Sequence, residues 1–395
     1  MQQYDVIIVG GGLAGNCLAL ALKDTGINCA IIEANTPEQL ANSAAGDRAL
    51  ALAAGTVKQL EYLGVWQAIS HAATPIKNIH ISDKGHFGKT RLSAEKEQVA
   101  ALGYVIAARD LETHAAKLVT ETHTAHYCPA RVIGLNADAD SIQVNIEQGE
   151  QWLTLTAQLL IGADGGQSAI RQLLNINQQV TDYGQTALVT TVSSTLAHKN
   201  TAFERFTNSG PLALLPIANK QSSVVWTRST EDAKALMQTS EADFLTQLQA
   251  CFGYKLGKLS LSASVRAFPL SLIRAEKMIA KRAVIIGNAV HQLHPVAGQG
   301  FNLGLRDVIE LARLLTTQHQ AAKDLGTADF LKDYAKARQK DHDLVIGFTN
   351  NVIRIFSNDW LPLAAARNAG LTLLDHIPKA KSLLSRYAMG LEQTD

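Results

Sequence analysis

A chain of 395 residues, 47% hydrophobic and 18% charged, has the composition of a folded protein with room for two intertwined domains and a sizeable core. A net charge of +1 leaves no electrostatic footprint for nucleic acid or another strongly charged partner. Cys17, Cys29, Cys128 and Cys251 form no C-x-x-C pair, which excludes the redox pair of a flavin disulfide reductase and fits a reducing compartment.

The apolar run Val6 to Val9 reads as an interior parallel strand and leads straight into Gly10-Gly-Gly-Leu-Ala-Gly15. Gly10, Gly12 and Gly15 fall in the G-x-G-x-x-G spacing of a dinucleotide-binding turn. The first glycine permits the tight turn, the second lets the backbone approach a pyrophosphate, and the third lets helix and strand pack closely. A helix from Cys17 to Lys23 follows, and the free N–H groups at its start suit phosphates. Gly26 ends it, Asn28 to Ile32 forms the next strand, and Glu33 closes that strand 18 residues after Gly15. A carboxylate there accepts hydrogen bonds from a ribose diol. Five residues, none basic, precede Val6, and no apolar run reaches the ~18 residues of a membrane span. A soluble, cytoplasmic protein is expected, free to lie on a membrane surface.

Residues 1–74 continue as a loop and a helix over Thr56 to Trp66, with Leu60 and Leu63 at i, i+3. From 75 to 105 the pattern changes to short strands, Ile76 to Ser82 and Lys89 to Leu92. Residues 106–181 return to the first pattern, with a helix around Asp110 to Val119 and strands over Val132 to Ile146 and Leu153 to Ile161. The block 182–270 is strand-rich, with Thr186 to Ser193, Ala202 to Phe206, Leu212 to Ile217 and Ser222 to Thr227 separated by turn residues. Residues 271–325 bring the buried strand Ala283 to Ile286 and the glycine-rich stretch Pro295 to Gly304. That stretch opens a long helix with Phe301, Leu305, Val308, Ile309, Ala312 and Leu315 on one face. The tail, 326–395, reads as helical throughout. No repeat or low-complexity linker separates these blocks, so the domains interleave. The expected fold is α/β: a Rossmann-like dinucleotide-binding domain from 1–74, 106–181 and 271–325, a sheet domain from 75–105 and 182–270, and C-terminal helices.

Ligands of open α/β sheets bind outside the carboxyl ends of the strands. Gly10–Gly15, Gly162–Gly165 and Gly287–Gly304 are three glycine-bearing strand ends that can surround one extended cofactor. Asp164-Gly165 by itself reads as a plain turn, and its place after Leu159-Leu-Ile161 favours function. Gly298-Gln-Gly300 allows close backbone approach, and the positive N-terminus of the following helix suits the anionic edge of a reduced flavin. His291 and His294 have a spacing open to a metal. No carboxylate or thiolate accompanies them in sequence, so structural or pocket-lining roles are expected and no metal. Arg48 and Arg109 each read either as reaching a flavin or substrate or as surface arginines.

The fingerprint with Glu33, the segment Gly162-Ala-Asp164-Gly165, and Gly287-Asn-Ala-Val-His291 through His294-Pro295 to Asp307 resemble class A FAD-dependent aromatic monooxygenases. The resemblance is closer to the ubiquinone-biosynthesis hydroxylases, and closest to their 2-polyprenyl-6-methoxyphenol hydroxylase subgroup. Arg48-Ala-Leu-Ala-Leu-Ala-Ala-Gly55-Thr, His80-Ile-Ser-Asp83-Lys-Gly85-His86, Phe203-Glu-Arg-Phe-Thr207, Gly210-Pro-Leu-Ala213 and Ala297-Gly-Gln-Gly-Phe-Asn-Leu-Gly304 carry it, and it spans essentially the whole chain.

The resemblance implies an aromatic hydroxylase fold whose first domain binds FAD. Gly10, Gly12 and Gly15 would cradle the FAD pyrophosphate, Glu33 would bind the adenosine ribose, and Arg48 and Arg109 would contact FAD. Asp164 and Gly165 would serve both FAD and NAD(P)H. Pro295 to Asn302, with Gly298 and Gly300, would line the isoalloxazine. After Gly287, Asn288 stands where the wider family has an Asp that contacts the ribitol; its amide oxygen still accepts, and its nitrogen adds a donor.

The implied reaction converts 2-polyprenyl-6-methoxyphenol to 2-polyprenyl-6-methoxy-1,4-benzoquinol in ubiquinone biosynthesis. It uses bound FAD, O2, and NAD(P)H docking transiently, since no second glycine fingerprint exists. No catalytic residue is named by the sequence. Two alternatives stand: a hydroxylase of another ring position or of a soluble phenol, and a non-catalytic flavoprotein scaffolding other ubiquinone-biosynthesis proteins. In the tail, Phe356, Trp360, Leu361, Leu363, Leu371 and Leu374, with Arg354 and Arg367, read as a lipid- or partner-facing surface or as ordinary packing against the FAD domain.

Overall fold

The uninterrupted apolar run at the N-terminus becomes a central strand because both of its faces are covered. In the computed structural model, which describes residues 2–356 and 361–391, the strand Gln2–Val9 lies parallel between Gln151–Gly162 and Cys29–Ile32. The eight-stranded sheet runs Ile279–Ala280, Ala283–Ile285, Gln151–Gly162, Gln2–Val9, Cys29–Ile32, Ala125–Tyr127, with the hairpin Arg131–Ala137 and Ile142–Gln148 added beside Gln151–Gly162. Val6 and Ile8 pack under helices that supply Leu18, Leu111 and Leu311, while Ile7 and Val9 pack on the opposite face with Val144 and Ile285. In register, Val9 stands opposite both Gly162 and Ile32, and Gly162 opposite Ile285. The carboxyl ends of these strands are therefore level, and whatever follows each strand shares one rim.

A second sheet of nine strands runs His291–Gln292, Arg266–Ala275, Gln178–Ser194, Gln221–Ser229, Gly210–Pro216, Thr201–Thr207, Asn78–Asp83, Lys89–Ser93, with Leu259–Leu261 beside Gln178–Ser194. One face buries Leu188, Leu212, Leu214 and Trp226 under the helices Thr230–Leu236 and Glu241–Phe252. Ser229 and Ser240 cap those helices, accepting from the N–H groups of Asp232 and Asp243. The other face turns towards the first domain. Across it, Ile81, Glu204, Ala213, Val225 and Val189 stand in one register row.

Several local expectations change. Thr56 to Trp66 is two helices, Ala54–Tyr62 and Val65–Ile69, because Gly64 takes a left-handed conformation (φ +77°) that ends the first. Val132 to Ile146 is a hairpin rather than one strand. A three-stranded sheet of Ala49–Ala53, Gly103–Ala107 and Thr74–Ile76 was invisible to strand composition, since alanine and proline disguise it. The strands Gln178–Ser194 and Arg266–Ala275 pair along most of their lengths, so they run through positions 182 and 270, at which composition alone places the domain boundaries.

The tail is helical over Ala328–Phe356, Leu361–His376 and Pro378–Ala388. Its middle helix docks on the second sheet rather than on the first domain. Arg367, buried, donates from Nε to Asp83 Oδ2 at 2.8 Å, Gly88 N donates to Asn368 Oδ1 at 2.7 Å, and Thr90 Oγ1 donates to the Leu371 carbonyl at 2.7 Å. Phe356 stacks on Phe206, ring centroids 3.9 Å apart. Phe356, Arg367 and Leu371 thus face inward and do not belong to a lipid-facing surface, because the edge strand needs their groups to seal it. Leu374 is half-buried and Arg354 exposed. Trp360 and the side chains of Leu361 and Leu363 lie outside the described residues. No helix among the described residues is long and apolar enough to cross a membrane.

One buried charge cluster ties the tail to the first domain. Asp307, with no solvent exposure, accepts from Arg338 Nε at 2.7 Å, His342 Nε2 at 2.7 Å and His291 Nε2 at 3.2 Å. Burial raises its carboxyl, but the hydrogen bonds from His291 and His342 and the neighbouring positive charge outweigh that and hold it far below the usual range. Replacing Asp307 by Ala leaves Arg338 Nε, His291 and His342 buried without their shared acceptor, although Arg338 keeps Asp341, and a loss of about 3 kcal/mol is expected in denaturant unfolding. The folded carboxyl titrates below its unfolded value of about 4, so this stabilisation is complete above pH ~4 and fades as the pH falls further. Unfolding curves of both proteins should therefore converge in acid.

Candidate active site

The level strand ends bring the three glycine segments into contact. At Gly10 (φ +110°) an added Cβ would lie 2.5 Å from the Ala163 carbonyl oxygen, so the first turn and the Ala163-Asp164 turn touch backbone to backbone. At Gly15 it would lie 1.9 Å from the Gly10 carbonyl oxygen, which is why the helix Leu13–Leu22 can start tight against the strand. Gly287 abuts Ala14 of that helix, and Gly304 abuts Gly287, with 3.3 and 3.5 Å between the added Cβ and its neighbour. Gly298 (φ +62°) packs on Ala51 at 3.1 Å.

Three positions on this rim are different. A Cβ at Gly12, Gly165 or Gly300 would meet nothing within 4 Å among the described residues. Gly12 and Gly298 are the N-cap residues of Leu13–Leu22 and Gln299–Gln320, and neither helix has a side-chain cap. Two helix starts without side-chain caps thus border open space on the same rim, a setting suited to anionic groups. Glu33 is 9% exposed beside the first turn, its Oε2 accepting from Gly11 N and its Oε1 from Asn35 N, both at 2.7 Å. Asn288 is exposed at the third strand end. This cradle fits an extended dinucleotide such as FAD.

Not every residue expected there presents its side chain. Asn302 is 2% exposed and spends its amide on protein: Oδ1 accepts from Ala53 N and Thr56 Oγ1, and Nδ2 donates to the Ala51 and Gly298 carbonyls. It staples the long helix to the Ala49–Ala53 strand, leaving only its backbone for a flavin. Asp164 Oδ1 accepts from Ser168 Oγ at 2.5 Å and Oδ2 from Ile170 N at 3.0 Å, so its carboxylate caps the short helix behind it. Arg109 donates to Asp47 Oδ1 at 2.5 Å and to the Ser43 carbonyl at 3.2 Å. Asp47 also pairs with Arg266 at 2.7 Å, which links this loop to the second sheet. Arg48 is exposed on the same loop. Pro295 precedes the turn Val296–Gly298.

His291 and His294 part company. A carboxylate does accompany His291, against expectation: Asp307, brought in from the long helix and already held by Arg338. His342 joins them, so two imidazoles, a carboxylate and the Arg338 guanidinium share one buried cluster. His294 is buried beside Tyr183, ring centroids 5.4 Å apart, and burial pushes its imidazole down to about 4. Sequence reading also passed over Glu204, which lies on the sheet face opposite the rim. Burial pushes its carboxyl up to about 7. The alternation of Ala202, Glu204 and Phe206 in a buried strand was the available signal.

Fold and site define a flavoprotein of the aromatic monooxygenase class. A family model described as an FAD binding domain matches residues 3–347. Ubiquinone hydroxylase UbiL of Rhodospirillum rubrum is 34% identical over 98% of this chain and 89% of its own. The 3-demethoxyubiquinol 3-hydroxylase of Escherichia coli is 29% identical over 99% of each chain. The p-nitrophenol 4-monooxygenase PnpA of Pseudomonas putida superposes with a TM-score of 0.80 over the whole of both chains at 16% identity, a likeness of fold. The chain belongs to the FAD-binding monooxygenases of ubiquinone biosynthesis. It is an enzyme, and FAD is its cofactor.

Gly12→Asp adds a carboxylate where no protein atom stands, so that variant should fold yet reject FAD. The expected preparation is colourless, with the unfolding midpoint of the wild-type apoprotein; retained flavin absorbance would count against the cradle.

Proposed function

We propose that this enzyme hydroxylates the aromatic ring of a polyprenylated phenol intermediate of ubiquinone biosynthesis, with NAD(P)H as reductant and O2 as oxygen donor. The single observation that supports it is the shared rim: three strand ends and two uncapped helix starts around open space, facing a half-buried apolar sheet row. When bound, FAD supplies the redox chemistry and the activation of oxygen. The chain's residues do the rest. Gly10, Gly12 and Gly15 admit the pyrophosphate, Glu33 takes the adenosine ribose, and Asn288 offers its amide to the ribitol. Arg48, from its loop, and Arg109, from the first turn of the helix Ala108–Thr120, would reach the cofactor, Arg109 by exchanging Asp47. Asp164-Gly165, Gly287 and the turn Pro295–Gly300 contribute backbone. The row Ile81, Ala213, Val225 and Val189 holds the ring and first prenyl units away from water.

The ring position we favour differs from the one that the resemblance implied. Relatives named for ubiquinone hydroxylation and for 3-hydroxylation of 3-demethoxyubiquinol match this chain end to end. They favour the alternative, a position other than the one that turns 2-polyprenyl-6-methoxyphenol into the benzoquinol. Lipid mass spectrometry of a deletion strain tests this. The expected result is a fall in quinone and accumulation of a precursor lacking one hydroxyl-derived oxygen, distinct from 2-polyprenyl-6-methoxyphenol. Accumulation of that phenol would return the reading to the first position, and normal quinone levels would overturn it altogether.

A further inference from the structure

Glu204 stands in an interior strand, opposite Ile81 on one side and Ala213 on the other. Strand alternation puts it on the face of Ala202 and Phe206, away from the helices that cover the sheet's back. Ala202 packs with Ile76 and Val105 of the three-stranded sheet. Phe206 and Ile81 pack against Val296, in the turn that opens the helix Gln299–Gln320. The carboxylate therefore lies between two apolar clusters, beside the residues that touch the turn assigned above to the flavin ring. Its Oε1 is sealed from solvent and has no hydrogen-bond partner among the described residues. A buried carboxylate oxygen without a donor is costly to fold, and a ligand hydroxyl is the missing donor.

We propose that Glu204 is the catalytic base of this enzyme, accepting the substrate's phenolic hydroxyl at Oε1 and taking its proton, an inference that rests on the hydroxylase reading above. The phenol O–H bond breaks, an O–H bond to the Glu204 carboxyl forms, and the electron pair stays on the phenolate oxygen. One negative charge enters the step and one leaves, so the low-dielectric site never holds two anions. The ionised oxygen feeds its electron pair into the ring and raises the nucleophilicity that ring hydroxylation needs. At the end of turnover the proton returns to the product oxygen and Glu204 is again a carboxylate.

The other titratable groups around this face are held by protein partners or, at His294, have only a donor left to offer. Asp83 pairs with Arg367 beside Phe206, Arg266 pairs with Asp47 at the far edge, and Tyr183 donates to Asn350 Oδ1 at 2.6 Å. His294 Nδ1 accepts from Val296 N at 3.2 Å, so its other nitrogen carries the hydrogen and is a donor, not a base. Arg205, Lys255 and His80 lie on the opposite face. Burial, with no charged neighbour, brings the Glu204 carboxyl to about 7, closer to a phenol of about 10 than an ordinary carboxylate stands.

The test uses the holoenzyme with 2-geranylphenol, NAD(P)H and O2, and reads probe affinity and hydroxylation rate across pH. The wild-type rate should rise with pH as the Glu204 carboxyl ionises and gains the capacity to take the phenolic proton. Glu204→Gln should keep FAD, the unfolding midpoint and probe binding, hydroxylate roughly 100-fold or more slowly, and lose that rise until the pH approaches the ionisation of free phenol, about 10. Glu204→Asp, or Glu204→Ala with added formate, should recover part of the rate, which a merely structural residue would not permit. Equal rates and pH profiles in wild type and Glu204→Gln overturn the inference while leaving the hydroxylase standing. Failure of the wild type to bind or hydroxylate any prenylated phenol overturns the functional reading and this inference together.

Discussion

The constraint on which the rest of the structure depends is the level register of the parallel strands in the first sheet. Val9, Ile32, Gly162 and Ile285 end together. A strand that overshot by one residue would turn its following loop to the other face and reverse the burial of Ile7 and Ile8. Because both faces are packed, that slip is forbidden, and three loops from distant parts of the chain must emerge side by side. Backbone contact then leaves no choice but glycine where they meet, at Gly10 against Ala163 and at Gly15 against Gly10. The anion-accepting rim is thus a by-product of packing the sheet.

The second sheet supplies what the first cannot. Its back is closed by two helices around Trp226 and Leu248, which fixes the orientation of its strands. Its front then necessarily faces the rim. Two attachments hold the gap: the pair Arg266–Asp47 on one side, and the tail helices on the other, where Ile353 and Phe356 meet Phe206 and Val296. The tail is consequently part of the pocket wall. The Asp307 cluster does the same work behind the long helix, joining it to Arg338 and His342 of the tail. Orientation across the gap is set by buried charge pairs, which specify geometry more than they add stability.

The distribution of polar groups follows this division. Side chains near the cofactor rim are mostly used up on protein, as Asn302 and Asp164 illustrate, and main-chain N–H groups are what remain. Backbone donors are held rigidly by the elements that carry them, so they need no reorganisation when charge develops. On the second sheet, in contrast, the row Ile81, Ala213, Val225 and Val189 is apolar and Glu204 is the one carboxylate set into it. One carboxylate in an apolar row can act as a base with high selectivity for a ring carrying a hydroxyl and an aliphatic tail.

Much of the first domain was legible because its signals are local. A strand, a turn and a helix within the twenty-one residues Gln2–Leu22 leave G-x-G-x-x-G in the sequence, and Glu33 follows at a distance set by one helix and one strand. The long helix after Gly298 was readable from its 3.6-residue period, and the full-length likeness carried the flavoprotein class. Non-local pairings leave no such trace. Nothing in Ala49–Ala53 marks it as a strand until Gly103–Ala107 lies beside it, and nothing in His291 foretells the carboxylate contributed from sixteen residues on. The inward turn of Arg367 depends on Asp83, nearly three hundred residues away. By itself, then, the sequence determined the cofactor cradle and the alternation of domains, since propensity, period and glycine spacing act over one or two elements. Tertiary structure alone decided which side chains remain free at the site, because that depends on partners brought together only when the sheets close.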